Sequence, residues 1–292
     1  MTPDGLRARA SALWAARSFF AERGYLEVPT PALVASAAME EHLYPLHADG
    51  GLLRTSPEFA LKRVLAQGLA RVYEIGPCFR GRERGDWHGT EFTMLEWYRV
   101  GADLDSLAAE TIELVAVVEH ALGVTPIPWR KTTVRDLFLE VCGVDLARAS
   151  ATDIHPRESS WDDAFFRRWV EDIEPSLDGG VVISHWPASQ AALARVLNTP
   201  EWPTAQRFEV YYNGLELGNA FLELLDATEQ RARFHQANAA RLDAGEPPHP
   251  IDEAFIEAVG RMPNCAGIAV GFDRLVAAVM GWPDLSAGRV PR

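Results

Sequence analysis

The stretch from Arg71 to Val100 constrains the fold more than any other. Arg71–Arg80 reads as a strand, Gly81–Thr90 as a charged loop and Glu91–Val100 as the return strand, so the chain doubles back here as an antiparallel pair. Period two puts Phe92, Met94, Glu96 and Tyr98 on one face and Glu91, Thr93, Leu95 and Trp97 on the other. A glutamate between Met and Tyr on a largely apolar face is costly unless a cation pairs with it. Taken alone, the segment leaves two readings open. It is a salt-bridged strand beside a solvated loop, or one wall of a pocket for a positively charged group.

The rest of the chain supplies more of the same material. Leu6–Arg23 has helical apolar spacing, and Gly24 follows as a stop. An extended, proline-punctuated stretch, GYLEVPTPAL, comes next. Ser56-Pro57-Glu58 opens a helix with Ser as N-cap and Pro at the first helical position, closing near Gly68. Asp103–Leu122 reads as a helix ended by Gly123. Residues 125–178 are helical in parts and poor in chemical signals, so they belong either to the scaffold or to an insertion. Strand patterns resume at Val181–Ser184, Phe208–Tyr212 and Leu215–Leu225, and helical ones cover Thr228–Asp243 and Asp252–Val259. The strand GIAVGF runs directly into the amphipathic helix DRLVAAVM. Antiparallel strand pairs with interspersed helices predict an α+β fold and not a doubly wound parallel sheet.

Composition narrows the function classes. No run of about 18 apolar residues exists, so a membrane span is not expected, and MTPDGLRARA lacks the apolar core of a secretory signal. Three widely spaced cysteines, Cys78, Cys142 and Cys265, fit a reducing cytoplasm better than a disulfide framework. A net charge of −13, from 41 acids against 28 bases, argues against holding a long nucleic acid through many phosphate contacts. Nucleotides and small phosphate ligands remain open, because a few local groups bind them.

The hairpin after Phe208 carries the clearest geometry. Asn213-Gly214 is a strong two-residue turn signal, which sets Tyr212 opposite Leu215 and Tyr211 opposite Glu216. Glu209 is then Glu216's diagonal neighbour, roughly 7–8 Å away. Two carboxylates at that separation can hold Mg²⁺ while phosphate oxygens complete its shell, or they can simply face solvent. Asn219, Phe221 and Glu223 fall on the opposite face from Glu216 by parity. A bulge at Gly218 would bring both sets to one side. If the strands bearing Glu96 and Glu223 converge, the two carboxylates raise each other's pKa until a cation enters. A ligand ammonium supported by Tyr98 and Phe221 would serve, which implies a small amine-bearing ligand. Arg274 in Gly271-Phe-Asp-Arg-Leu would sit at a helix N-terminus as an anion contact, or pair with Asp273 at the surface.

Together these pieces resemble the catalytic domain of class II aminoacyl-tRNA synthetases, an antiparallel sheet flanked by helices, and specifically the lysine branch. GYLEVPTPAL, FRGRERGDWHGTEFTMLEWY and GIAVGFDRL are similar to the three family motifs in order, while TSPE, LKR and ELGNAFLEL look like lysine-branch signatures. The first motif begins within about 25 residues of Met1, without the N-terminal OB-fold anticodon-binding domain of lysyl-tRNA synthetases. HWPASQAALARV, FEVYYNGLEL and PHPIDEAFIEAV narrow the resemblance to the truncated paralogues that lysylate elongation factor P. It implies one catalytic domain over residues 1–292, with 125–178 as a possible helical insertion, and a homodimer formed through Pro31.

The resemblance also implies roles. Arg80 would hold the substrate carboxylate and the α-phosphate, and Phe92 and Arg274 would sandwich adenine. Glu209 and Glu216 would bind Mg²⁺ on the ATP phosphates. Ser56, Pro57 and Glu58 would belong to the substrate site, with Glu58 meeting the amino group near the carboxylate. Glu96, Tyr98, Asn219, Phe221 and Glu223 would surround the side-chain end of lysine or (R)-β-lysine, with Ala269 shaping that pocket. Gly81, Arg82, Glu83, His88, Gly89, Leu217 and Gly271 complete the nucleotide site. Elongation factor P is the implied acceptor, not tRNA. Two departures stand out. The family's usual RNE reads Arg80-Gly81-Arg82 with the glutamate at Glu83, and its usual HNPEF reads His88-Gly89-Thr90-Glu91-Phe92. Arg82 and Gly89 leave open a catalytically silent amino-acid-binding paralogue, and an adenylating enzyme with a tRNA or carrier-protein acceptor stands as a separate alternative.

Overall fold

The computed structural model describes residues 1–37 and 43–290. The chain divides into two compact units, Met1–Thr125 with Glu223–Arg292, and Pro126–Leu222.

In the first unit the expected antiparallel pair forms from Arg71–Phe79 and Glu91–Val100. Cys265–Gly271 adds antiparallel to Glu91–Val100, and the short strand Leu26–Glu27 lies parallel to Arg71–Phe79. The helices Pro3–Glu22 and Leu104–Ala121 pack on each other. Phe20 of the first stacks on Tyr73 at 4.4 Å and meets Trp97 edge-on at 5.2 Å. The residues from Met94 to Tyr98 are therefore buried on both faces of their strand. The first helix starts three residues before its apolar pattern does, because the Thr2 hydroxyl accepts from Gly5 N–H and Pro3 fits the first helical position.

Ser56 departs slightly from expectation. The helix runs Glu58–Ala66 with Pro57 at the N-cap position, so it opens one residue later than predicted. Ser56 Oγ still accepts from Glu58 N–H at 3.0 Å. The N-terminal N–H is satisfied from one residue further out, which frees the hydroxyl proton for another partner.

In the second unit Thr204–Tyr212 and Leu215–Leu222 form the predicted hairpin. Asn213 and Gly214 both adopt positive φ, 48° and 78°, as a primed two-residue turn requires. Tyr212 faces Leu215 and Tyr211 faces Glu216, as expected. Val210 then pairs with Gly218, leaving Leu217 as an extra residue, so the expected bulge is present. Gly180–Pro187 pairs antiparallel with Thr204–Tyr212, and Trp129–Thr133 lies parallel to Gly180–Pro187. That last strand, Trp-Arg-Lys-Thr-Thr, has no apolar alternation, so residues 125–178 show no strand signal in sequence. The core of this unit stacks Phe138, Phe165, Trp169 and Trp186.

Candidate active site

In the first unit two carboxylates hold one buried ammonium, and a third stands beside them on neutral donors. Lys62 Nζ lies 2.5 Å from Glu58 Oε1 and 2.5 Å from Glu223 Oε2, with its side chain only 2% exposed. The rings of Tyr98 and Phe255 flank it at 5.8 and 6.0 Å. Burial alone pulls the ammonium toward neutrality, but Glu223 and Glu58 outweigh that pull and Lys62 stays charged. Glu96 is held differently. Ser56 Oγ donates to its Oε2 at 2.6 Å and Tyr98 OH to its Oε1 at 2.5 Å, both neutral donors. Burial, reinforced by the negative Glu58, pushes Glu96 up to about 7. Burial pushes Glu223 up to about 8 against the pull of Lys62. With every acid ionised, three carboxylates and one ammonium carry two negative charges net. Such a cluster takes up either protons or a cationic ligand.

Local sequence explains each position. Glu58 and Lys62 stand one helical turn apart on the buried stripe with Leu61 and Leu65. Glu96 and Tyr98 share a strand face by parity. Ala269 is Glu96's direct cross-strand partner, so its methyl lies on the same side of the sheet. Gly267 pairs with Tyr98, and a Cβ there would come within 2.2 Å of the phenol ring. Glycine is what lets the ring lie flat over the neighbouring strand.

At the end of this hairpin Arg80 Nε donates to Thr55 O at 3.3 Å, and its guanidinium stands 5.2 Å from the Phe92 ring. Glu83 lies 3.8 Å from Arg80. Arg82 points elsewhere, onto Glu246 and Tyr44. Gly271 occupies the N-cap position of the helix Phe272–Val279. Asp273 does not pair with Arg274, contrary to the surface-pair reading. It accepts from Arg9, Arg289 and the Thr93 N–H, which leaves Arg274 to donate to Trp87 O at 3.0 Å and to meet His88 Nε2 at 2.5 Å. A Cβ on Gly89 would lie 2.6 Å from Arg289 Nη1, so the Arg289 guanidinium fills the space of a side chain at that position.

In the second unit the bulge gathers Glu209, Tyr211, Glu216 and Asn219 on one face of the hairpin. Arg207 bonds Glu209, donates to Asn219 Oδ1 at 2.9 Å, and lies 4.5 Å from the Trp186 ring and 5.9 Å from that of Phe221. Tyr211 OH donates to Glu209 Oε2 at 2.8 Å. Burial first, and then the negative Glu216, push Glu209 up to about 7 against Arg207. Leu217, the bulged residue, is buried.

Lys62, Arg207 and Tyr211 are absent from the sequence-derived site. Lys62 had a legible signal, a lysine inside an apolar stripe one turn after a glutamate. Arg207, Glu209 and Tyr211 alternate along one strand, which marks a polar face without saying what it holds. Among the described residues no group of three or more His, Cys, Asp or Glu side chains is placed to hold a metal, and no helix is long and apolar enough to cross a membrane.

Residues 2–287 match the family of class II tRNA synthetases (D, K and N). Among curated proteins, the elongation factor P--(R)-beta-lysine ligase of Vibrio parahaemolyticus is 38% identical, over 95% of this chain and 92% of the relative. The proteins of the same name from Proteus mirabilis and Yersinia enterocolitica are each 37% identical, over 92% and 95% of this chain and 89% and 91% of the relatives. The ordered motifs, the antiparallel strands behind them and the buried carboxylate cluster agree with that match, and the chain belongs to the class II tRNA synthetase family, whose members use ATP, beside relatives named elongation factor P--(R)-beta-lysine ligase.

Proposed function

We propose that this protein activates lysine or (R)-β-lysine with ATP and transfers it to a lysine side chain of elongation factor P in the cytoplasm. The observation that carries the reading is the cluster of Glu58, Glu96 and Glu223, whose three acids exceed the single ammonium of Lys62. A diamino acid brings the missing positive charge. Tyr98 would line its side-chain end, and Ala269 would set the room beside Glu96.

In the first step a carboxylate oxygen of the amino acid attacks the α-phosphorus and pyrophosphate leaves. In the second, the acceptor's lysine nitrogen attacks the acyl carbon and AMP leaves. No enzyme nucleophile is needed, so positioning and charge stabilisation supply the rate. Arg80 would bridge the carboxylate and the α-phosphate, while Phe92 and Arg274 would hold adenine between them. Glu83, beside Arg80, would contact adenine in place of Arg82.

Glu209 and Glu216 fit a divalent cation. They are hard oxygen donors on one face, and their mutual repulsion in a buried setting is what such an ion relieves. Mg²⁺ held there would neutralise phosphate charge, with Arg207 and Tyr211 fixing the orientation of Glu209. A homodimer through the segment around Pro31 follows from the same kinship.

Pyrophosphate exchange with lysine and (R)-β-lysine, followed by transfer to purified elongation factor P, tests the reading. Exchange without transfer to that protein would reject the acceptor and favour tRNA or a carrier protein. Absence of exchange would favour a silent binder. Ala269→Gly should move the preference toward α-lysine by roughly tenfold, the worth of one methylene-sized change in a pocket. An unchanged ratio would remove Ala269 from the specificity set.

A further inference from the structure

We infer that Gly81 and Arg82 form an anchor that positions the 81–90 loop, with Arg82 acting through the loop and not on the nucleotide. The anchor's effect on catalysis rests on the adenylating reading above, while the anchor itself stands on geometry alone.

Gly81 N–H donates to Tyr44 O at 2.6 Å. A Cβ at position 81 would lie 3.0 Å from that oxygen and 3.4 Å from Leu46 Cδ2, a tight fit that glycine relieves. Arg82 then takes φ +63°, in the left-handed region that arginine rarely occupies. In that conformation its guanidinium lies 3.9 Å from the Tyr44 ring centroid. Both terminal nitrogens reach Glu246, Nη1 to Oε1 at 2.5 Å and Nη2 to Oε2 at 3.2 Å. This is the two-pronged arginine–carboxylate geometry, with the aromatic face as a third contact.

The seat is itself fixed. Arg241, 3% exposed, donates to Leu43 O and Pro247 O, and so ties the residue before Tyr44 to the residue after Glu246. The same guanidinium lies 5.4 Å from the Tyr44 ring. At the loop's other end Leu285 N–H donates to Asp86 O, and Arg274 Nε to Trp87 O. The loop is therefore tied near both ends, and the turn at Arg82 delivers Glu83 to within 3.8 Å of Arg80. An arginine spent on Tyr44 and Glu246 is a positioning residue. The departure Gly81-Arg82 then reads as one device, since glycine permits the close approach and arginine fastens it.

Glu246→Ala removes the latch without altering the loop. Trypsin should then cut after Arg82 or Arg84 in the native protein several-fold faster than in the wild type. In pyrophosphate exchange the KM for ATP should rise about threefold to tenfold with kcat within twofold, the range expected of one exposed ion pair and a ring contact. Arg82→Glu should reproduce the KM change, and the Arg82→Glu/Glu246→Arg double variant should recover most of it. A loop cut no faster in Glu246→Ala, or a KM that does not follow, overturns the proposal. So does a double variant no better than Arg82→Glu, because Arg82 would then act directly on the nucleotide. If the wild type shows no exchange, the adenylating reading fails and the proteolysis arm alone decides the anchor.

Discussion

Glu58, Glu96 and Glu223 in the first unit form a buried acid cluster, while in the second the buried Glu209 stands beside the half-buried Glu216, and the two sites differ in the cation each contains. The first holds a lysine, a compact charge on a flexible stem, shared between Glu58 and Glu223. Glu96 is left to two neutral hydroxyls. The second holds an arginine whose planar fork bonds Glu209, Asn219 and Gln190 O, and whose face lies near Trp186. A lysine–acid cluster with one carboxylate short of a cation suits a ligand that arrives carrying ammonium groups. A carboxylate fixed by a stacked guanidinium and a phenol suits a donor whose direction must not wander. The chemistry of the counter-cation, more than the number of acids, separates the two sites.

That contrast is open to attack. The largest effect should come from Lys62→Met, which leaves Glu58 and Glu223 buried without their partner and should cost about 3–5 kcal/mol by urea denaturation. Arg207→Met should cost less, since its side chain is 14% exposed and water can reach the site. Equal losses would erase the distinction. Next, Glu96→Gln should lower kcat/KM for lysine on the order of 100-fold, the worth of a lost charged contact, with the KM for ATP within about twofold of wild type. If ATP affinity falls equally, the cluster does not read the amine. Glu209→Gln should raise the Mg²⁺ needed for half-maximal exchange about tenfold while sparing the KM for lysine.

The last test is in pH. Glu96 and Glu223 move up from 4.5 to about 7 and about 8 on folding. Between pH 4.5 and 8 the folded state thus holds more protons than the unfolded one, so these groups stabilise the protein at low pH and that contribution is lost as pH rises through about 7 to 8. Lys62 is protonated in both states across this window and does not offset the trend. Thermal melts should fall from pH 5.5 to 8.5 in the apo protein, and saturating lysine should flatten the slope. A slope unmoved by lysine, or flat in the wild type and unchanged by Glu96→Gln, would detach the ligand from this cluster.

Much of this was legible in the chain. Period two put Glu96 beside Tyr98, and Asn213-Gly214 fixed the second hairpin's register. Gly218 announced the bulge because a glycine inside a strand pattern usually marks an irregularity. These are short-range consequences of backbone geometry and need only a few residues to be read. Trp129–Thr133 was not legible, since its pairing with Gly180–Pro187 comes from neighbours some 50 residues away and not from its own pattern.

Sequence alone therefore determined the α+β class, the antiparallel pair, the turn and the acids on each face. Tertiary structure decided which cation meets which acid. Lys62 reaches Glu223 across 161 positions, Arg82 reaches Glu246 across 164, and Asp273 chooses Arg9 and Arg289 over its neighbour Arg274. Charge partners are selected by distance and burial in three dimensions. A linear chain lists the charges, and only folding sets the separations and the local dielectric that determine which pairs form.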